Sequence, residues 1–261
     1  MAISINSITA KGVKMSKAPG AFDPVTFWSG QQGGFWDFSN SANLFSNNAM
    51  TTPATLDGSV LAVTDISGLD NHLTNVAGGR SFVRKSGWCE VVDGPLQTPA
   101  FTRTQTGYTS LMLFRIATMD YGYIVSAPLN ADYSMLVTYL PAAGLTAYVW
   151  GNAIQDQYGN PEVLSNSVDY FGSSAVNDNA TTPIMSVRVN GSTVSGGTVQ
   201  TLAVAESRIS IGANGSTNVL GNNEFTGRLY CAAWINKTCT LSEIQEIGNY
   251  MNTLAGTSAT V

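Results

Sequence analysis

Short runs of β-forming residues, set between turns rich in glycine and asparagine, recur along most of the chain and constrain its fold more than any other feature. They occupy 60–63, 81–84, 88–92, 110–117, 121–126, 133–139, 145–150, 184–189, 199–205, 208–211 and 225–236. Such runs predict strands, and many of them in close succession predict an all-β sandwich or barrel. The run 184–189 ends in Asn190-Gly191, the pair favoured in two-residue hairpin turns because both positions need positive φ. By contrast, 151–179 is poor in apolar runs, which predicts a long loop excursion.

One stretch has helical spacing instead. Leu241, Ile244, Ile247, Met251 and Leu254 fall on one face. Thr240 and Glu243 form a capping box ahead of them, each side chain able to satisfy the other residue's backbone N–H. Gly256 is the expected stop, and 257–261 reads as a loose tail. With no internal repeat and no linker, the chain divides into an N-terminal arm (1–24), one sandwich domain (25–256) and that tail. Phe22, Phe27, Trp28, Phe35, Trp36 and Phe38 crowd the start of the domain and must be buried in it or against a partner.

Charged residues make up only 11% of the sequence, against about 25% in typical soluble domains. The polar surface therefore comes largely from Ser, Thr, Asn, Gln and the 26 glycines. Such a surface suits contact with sugars or close neighbours, and equally a turn-rich β protein. Net charge is −5, yet residues 1–20 carry Lys11, Lys14 and Lys17 and no acid. An acidic body excludes nucleic acid as the main partner, since phosphate binding needs clustered Lys and Arg. Ile3, Ile5 and Ile8 alternate with polar residues in the same arm. The arm is thus suited to add a strand to a neighbouring subunit's sheet, the alternative being a solvated terminus.

Three cysteines, none in a C-x-x-C, make neither a disulfide framework nor a zinc site. Cys89 and Cys231 sit in strand-like runs as small hydrophobes, so reduced thiols and a cytosol-like folding compartment are expected. Residues 1–17 do not read as a signal peptide, and no stretch approaches the ~18 apolar residues of a membrane span. No membrane partner is expected.

Two segments carry a resemblance. The first is Phe35-Trp36-Asp37-Phe38-Ser39-Asn40-Ser41-Ala42-Asn43-Leu44-Phe45, then Asp57-Gly58-Ser59-Val60, then Asp65-Ile66-Ser67-Gly68-Leu69-Asp70-Asn71-His72. The second runs from Arg208-Ile209-Ser210-Ile211-Gly212-Ala213 through Phe225-Thr226-Gly227-Arg228-Leu229 to Trp234 and Leu241-Ser242-Glu243-Ile244. Together they resemble the opening and closing patterns of concanavalin A-like (laminin G-like) domains found in bacteriophage virion proteins. The resemblance implies an antiparallel two-sheet jelly-roll sandwich with one short C-terminal helix. It also implies a structural turn at Asp65, Ser67, Asn71 and His72, with His72 tying a loop to the sandwich. Calcium, bound in some laminin G-like domains, is a lesser alternative for the Asp65, Ser67, Asp70 and Asn71 oxygens, which any tight turn also needs.

The fold alone does not decide the function. A glycosidase on it needs two carboxylates on one face, and related glucanases carry a Glu-x-Asp-x-x-Glu strand that is missing here. Glu90 and Asp93, three apart, fall on opposite faces of a strand. His72 is the only histidine through which a nucleophilic triad might pass. No enzyme activity and no cofactor are therefore expected.

Sugar binding draws on exposed aromatics and amides. Trp150, Asn152, Gln157 and Tyr158 gather these in the long loop region, with Tyr121 and Tyr123 on a neighbouring strand. Packing in the core or at an edge is the plainer reading of the same aromatics. The leading expectation is a virion structural protein, a capsid decoration or tail-fibre attachment subunit. Its arm would dock onto other virion proteins or sister copies in a homo-oligomer, after assembly in the host cytoplasm. The alternative is a module that recognises a host surface glycan.

Overall fold

The computed structural model describes residues 22–75, 82–92, 95–102, 107–117, 122–126, 135–140, 144–149, 158–160, 165–177, 184–198, 206–212 and 225–261. A four-residue helix, α1 (Pro24–Phe27), leads into β1 (Gly33–Asp37), β2 (Leu44–Phe45), β3 (Ser59–Val60), β4 (Ala62–Val63) and β5 (Leu73–Asn75). Then follow β6 (Phe82–Lys85), β7 (Trp88–Val91), β8 (Leu96–Gln97), β9 (Phe101–Thr102) and β10 (Tyr108–Ile116). The middle of the chain supplies β11 (Gly122–Ser126), β12 (Met135–Leu140), β13 (Gly144–Val149), β14 (Tyr158–Asn160), β15 (Tyr170–Asn177) and β16 (Ile184–Val189). Last come β17 (Ser192–Thr198), β18 (Glu206–Ser207), β19 (Ser210–Ile211), β20 (Gly227–Ile235) and α2 (Leu241–Ala255).

Two large antiparallel sheets result. The first runs β17-β16-β15-β10-β20-β7-β6-β3, with β1 also on β20; the second runs β14-β13-β12-β11-β19-β8-β5-β4-β2. Phe38, Val60, Phe82, Met112, Phe114, Val125, Ile211 and Trp234 fill the space between them. The outer face of the first sheet is covered in turn by α2, which buries Ile247 and Met251 against Leu111, Leu113, Phe171, Cys231 and Ile235. The central strands β10 and β20 are thus apolar on both faces, which is why they read as continuous hydrophobic runs.

A bulge adjusts their register. Leu113 pairs with Cys231 but Phe114 pairs with Leu229, which leaves Tyr230 as the extra residue. Tyr230 and Cys231 consequently both join the helix-side core, while Leu229 and Ala232 join the core between the sheets.

The helix begins and ends where its sequence specifies. Thr240 accepts from the Glu243 N–H and the Glu243 carboxylate accepts from the Thr240 N–H, while Gly256 closes α2 at φ 66°. Asn190 and Gly191 take φ of 43° and 84° between β16 and β17, the double positive φ of a tight hairpin.

Three expectations need correction. The segment 151–179 contains strands β14 and β15, and β15 lies inside the first sheet between β10 and β16. It escapes a hydrophobicity reading because its buried centre includes Gly172, Ser173 and Ser174. There the Ser174 and Ser110 hydroxyls hydrogen-bond each other at 2.7 Å.

The residues 257–261 are docked, not loose. Asn252 donates to Ala259 O and accepts from Ala259 N and Thr257 Oγ1, and Arg188 Nη2 donates to Val261 O at 3.0 Å.

The sandwich also starts earlier than residue 25, because the Phe22 ring sits 5.3 Å from Phe27 and 5.2 Å from Tyr250. The rest of the arm, with Ile3, Ile5, Ile8, Lys11, Lys14 and Lys17, lies outside the described residues.

Candidate functional site

The turn between β4 and β5 is a closed hydrogen-bond network. Asp65 Oδ1 accepts from Phe35 N at 3.0 Å and Ser67 N at 2.8 Å. Oδ2 accepts from Ser67 Oγ at 2.9 Å and Asn71 N at 3.1 Å. The Asp65 N–H donates to His72 Nδ1 at 3.0 Å. Asn71 Nδ2 donates to Gly33 O and Trp36 Nε1 donates to Asn71 O, so the turn is tied to β1 from two sides. All four donors converge on one buried carboxylate, so its oxygens are already satisfied by protein. A calcium ion, which takes six to eight oxygen ligands, would have to displace them. The network instead fixes where β1 crosses the turn.

The glycan candidates are placed unevenly. Trp150, Asn152, Gln157 and Tyr121 lie outside the described residues. Tyr123 is in β11 opposite Leu136, and Tyr158 is in the edge strand β14 opposite Val149. Both belong to the second sheet, with β12 and β13 between them.

Two further polar groupings have no counterpart in the sequence reading. On the second sheet, Thr74, Gln97 and Ser210 are successive cross-strand partners on β5, β8 and β19. Gln97 Nε2 donates to Ser210 Oγ at 2.9 Å, and both side chains are buried.

The other grouping lies at the end of the first sheet. Arg115 and Arg228 face each other across β10 and β20. Arg115 Nε donates to Asp169 Oδ1 at 2.7 Å, and the Tyr230 hydroxyl donates to the same oxygen at 2.8 Å. Arg228 sits over the Trp88 indole, its guanidinium carbon 4.6 Å from the ring centroid. Burial, and then Asp169, pushes the Tyr230 phenol above its ordinary value. The hydrogen bond to Asp169 likewise raises Arg115. No run or motif announces it, because its members come from residues far apart in sequence.

The thiols are all free and buried. Burial and the nearby Asp37 carboxylate push Cys89 and Cys231 well up, and burial pushes Cys239 up to about 11. Thiolate chemistry at neutral pH is thereby suppressed.

No family model matches the chain, and no curated protein matches it. Solved structures do. Trypanosoma rangeli sialidase aligns at 11% identity and a TM-score of 0.58, over 87% of this chain and 33% of its own. A mutant of the same sialidase displaying trans-sialidase activity aligns at 14% identity and a TM-score of 0.56, over 88% of this chain and 34% of its own. Domain 4 of AbnA, an extracellular arabinanase from Geobacillus stearothermophilus in complex with arabinotriose, aligns at 11% identity and a TM-score of 0.49, over 82% and 97% of the two chains. The chain therefore spans about a third of the length of the sialidases it matches. At these identities the likeness is one of fold. The chain is an antiparallel two-sheet β-sandwich closed by one C-terminal helix, of the concanavalin A-like jelly-roll kind.

Proposed function

We propose that this sandwich is a non-catalytic recognition domain whose ligand is a carbohydrate. The observation that carries the reading is how candidate catalytic groups among the described residues are used. The only histidine accepts a backbone hydrogen bond, and the Asp65 carboxylate accepts four structural ones. Asp169 is held by Arg115 and Tyr230, and Asp37 by the backbone and hydroxyl of Ser39. Groups so committed support architecture, and proton transfer needs a group left in reach of substrate. A surface rich in amides and hydroxyls and poor in charge favours sugar, whose recognition rests on directional hydrogen bonds.

A finer reading makes the domain part of a bacteriophage virion, as a capsid decoration or tail-fibre attachment subunit. It rests on the resemblance of the two bracketing segments and on the basic arm. Phe22 favours it further: the arm joins the sandwich at the helix-covered face, through contacts with Phe27, Trp28 and Tyr250. The arm would then dock onto other virion proteins or sister copies, with the loops turned outward toward a host surface glycan.

A glycan array probed with the full chain tests the carbohydrate reading. Binding should appear and should fall in Trp150→Ala and Tyr158→Ala; an array without any bound sugar would sink it. For the virion reading, a chain lacking residues 1–20 should fail to incorporate into particles. Full incorporation would remove the docking role.

A further inference from the structure

Around the Arg115–Arg228 corner of the first sheet the neighbouring basic side chains, Arg115 and Lys85, each have a carboxylate. Arg115 has its carboxylate, Asp169. Lys85 has Asp57 and Glu90, at 2.9 and 3.5 Å. Lys237 has Glu243. Among the described residues no carboxylate lies within ion-pair distance of Arg228, although Glu90 is its cross-strand partner on β7. Arg228 is also set directly opposite a second cation, Arg115, an arrangement that costs stability.

The side chain is nevertheless held in place. Its guanidinium lies over Trp88 in a cation–π contact, and the Trp88 ring packs in turn against the helix-side core. Tyr230, anchored by Asp169, stands beside it. The result is a half-buried guanidinium fork whose position is fixed before any ligand arrives. Such a fork suits a planar carboxylate, which it can grip through two parallel hydrogen bonds.

We propose that Arg228, seated on Trp88 and flanked by Arg115, binds the carboxylate of an acidic sugar. This rests on the carbohydrate reading above and narrows it to uronic or other sugar acids. The overall charge of −5 adds a limit. A densely anionic polymer is repelled by the rest of the surface, whereas a short oligosaccharide whose carboxylate reaches the fork is not. The site lies on the first sheet, away from the Tyr123 and Tyr158 strands of the second, so it is separate from the loop candidates.

The experiment is a calorimetric titration of the full chain with trigalacturonate and with its methyl ester, which keeps the sugar rings and hydroxyls but caps each carboxylate with a methyl group and so removes its charge. Trigalacturonate should bind at least about tenfold more tightly than the ester, the scale of a charge-assisted hydrogen bond. Arg228→Gln should abolish that difference, and Arg228→Lys should restore only part of it because the fork is gone. Thermal melts of both variants at the parental temperature establish that the fold is intact. Equal binding of acid and ester, no binding of either, or an undiminished preference in Arg228→Gln would each overturn the proposal. The carbohydrate reading fails separately, on an array that shows no sugar of any kind.

Discussion

The backbone N–H of Asp65 donates to His72 Nδ1 at 3.0 Å, seven positions further along the chain. A ring nitrogen that accepts carries no proton, so the neutral imidazole must hold its hydrogen on Nε2. Long-range ¹H–¹⁵N spectra at neutral pH should show the Nε2–H tautomer. An Nδ1–H tautomer would mean that this hydrogen bond does not form. His72→Ala, which strands a partly buried N–H, should cost about 1–2 kcal/mol of unfolding free energy.

Replacing Asp65 itself should cost more. Alanine there leaves the N–H groups of Phe35, Ser67 and Asn71 and the Ser67 hydroxyl without their shared acceptor. Water can reach some of them, so the sum of four penalties is not expected. A loss of roughly 3 kcal/mol in urea unfolding is. A loss below roughly 1 kcal/mol would show that the turn tolerates the missing carboxylate and does not anchor β1.

Cys239 gives the fold an alkaline limit. Burial pushes its thiol up to about 11, against an ordinary value of 9.0. Unfolded chains therefore lose this proton at lower pH than folded ones. The resulting stability is fully present below pH 9 and drains away as pH rises toward 11, a change of about 3 kcal/mol. Urea midpoints measured from pH 8 to 11 should fall more steeply for the parent than for Cys239→Ala. Parallel curves would rule the thiol out as the source. Across the same range, native-state alkylation should label Cys239 before Cys89 and Cys231, which burial raises further.

How far the sequence speaks for the structure depends on length and on burial of both faces. The strands β10 and β20 and the helix α2 were legible because each is long and apolar at its own period. The run 60–63 read as one strand, but Val60 pairs with Phe82 in the first sheet and Ala62 with Thr74 in the second. A two-residue strand has no period to detect, so this switch is invisible in the sequence.

β1 is hidden differently. It opens on Gly33, at φ 129°, where a Cβ would lie 2.0 Å from Trp234 O. The glycine that permits this close approach looks like a loop signal. The Arg115–Arg228 pair depends on the register of β10 against β20, which no local pattern encodes. β14 and β15 are missed as well: the short β14 has no period to detect, and the buried centre of β15 carries serines and glycine in place of apolar residues.

Gly248 is where helix propensity and packing oppose each other, so its substitution has a sign worth measuring. Alanine is favoured over glycine inside a helix by about 1 kcal/mol. At this position, however, a Cβ would stand 2.6 Å from Val261 Cγ1 and 2.9 Å from the Phe171 ring. Phe171 is fully buried beneath α2 and has nowhere to move. Val261 is held by the Arg188 bond to its carbonyl, although its side chain is only partly buried. Overpacking of this kind costs about 1–3 kcal/mol, which exceeds the propensity gain. Gly248→Ala should therefore destabilise the domain by roughly 1 kcal/mol or more in thermal or urea unfolding. In a Val261→Ala background the nearer of the two clashes is gone, and the same substitution should cost less, a coupling that a double-mutant cycle resolves. A stabilising Gly248→Ala would show that the C-terminal strap does not press on the helix, and identical costs in the two backgrounds would show that Phe171 alone sets the limit.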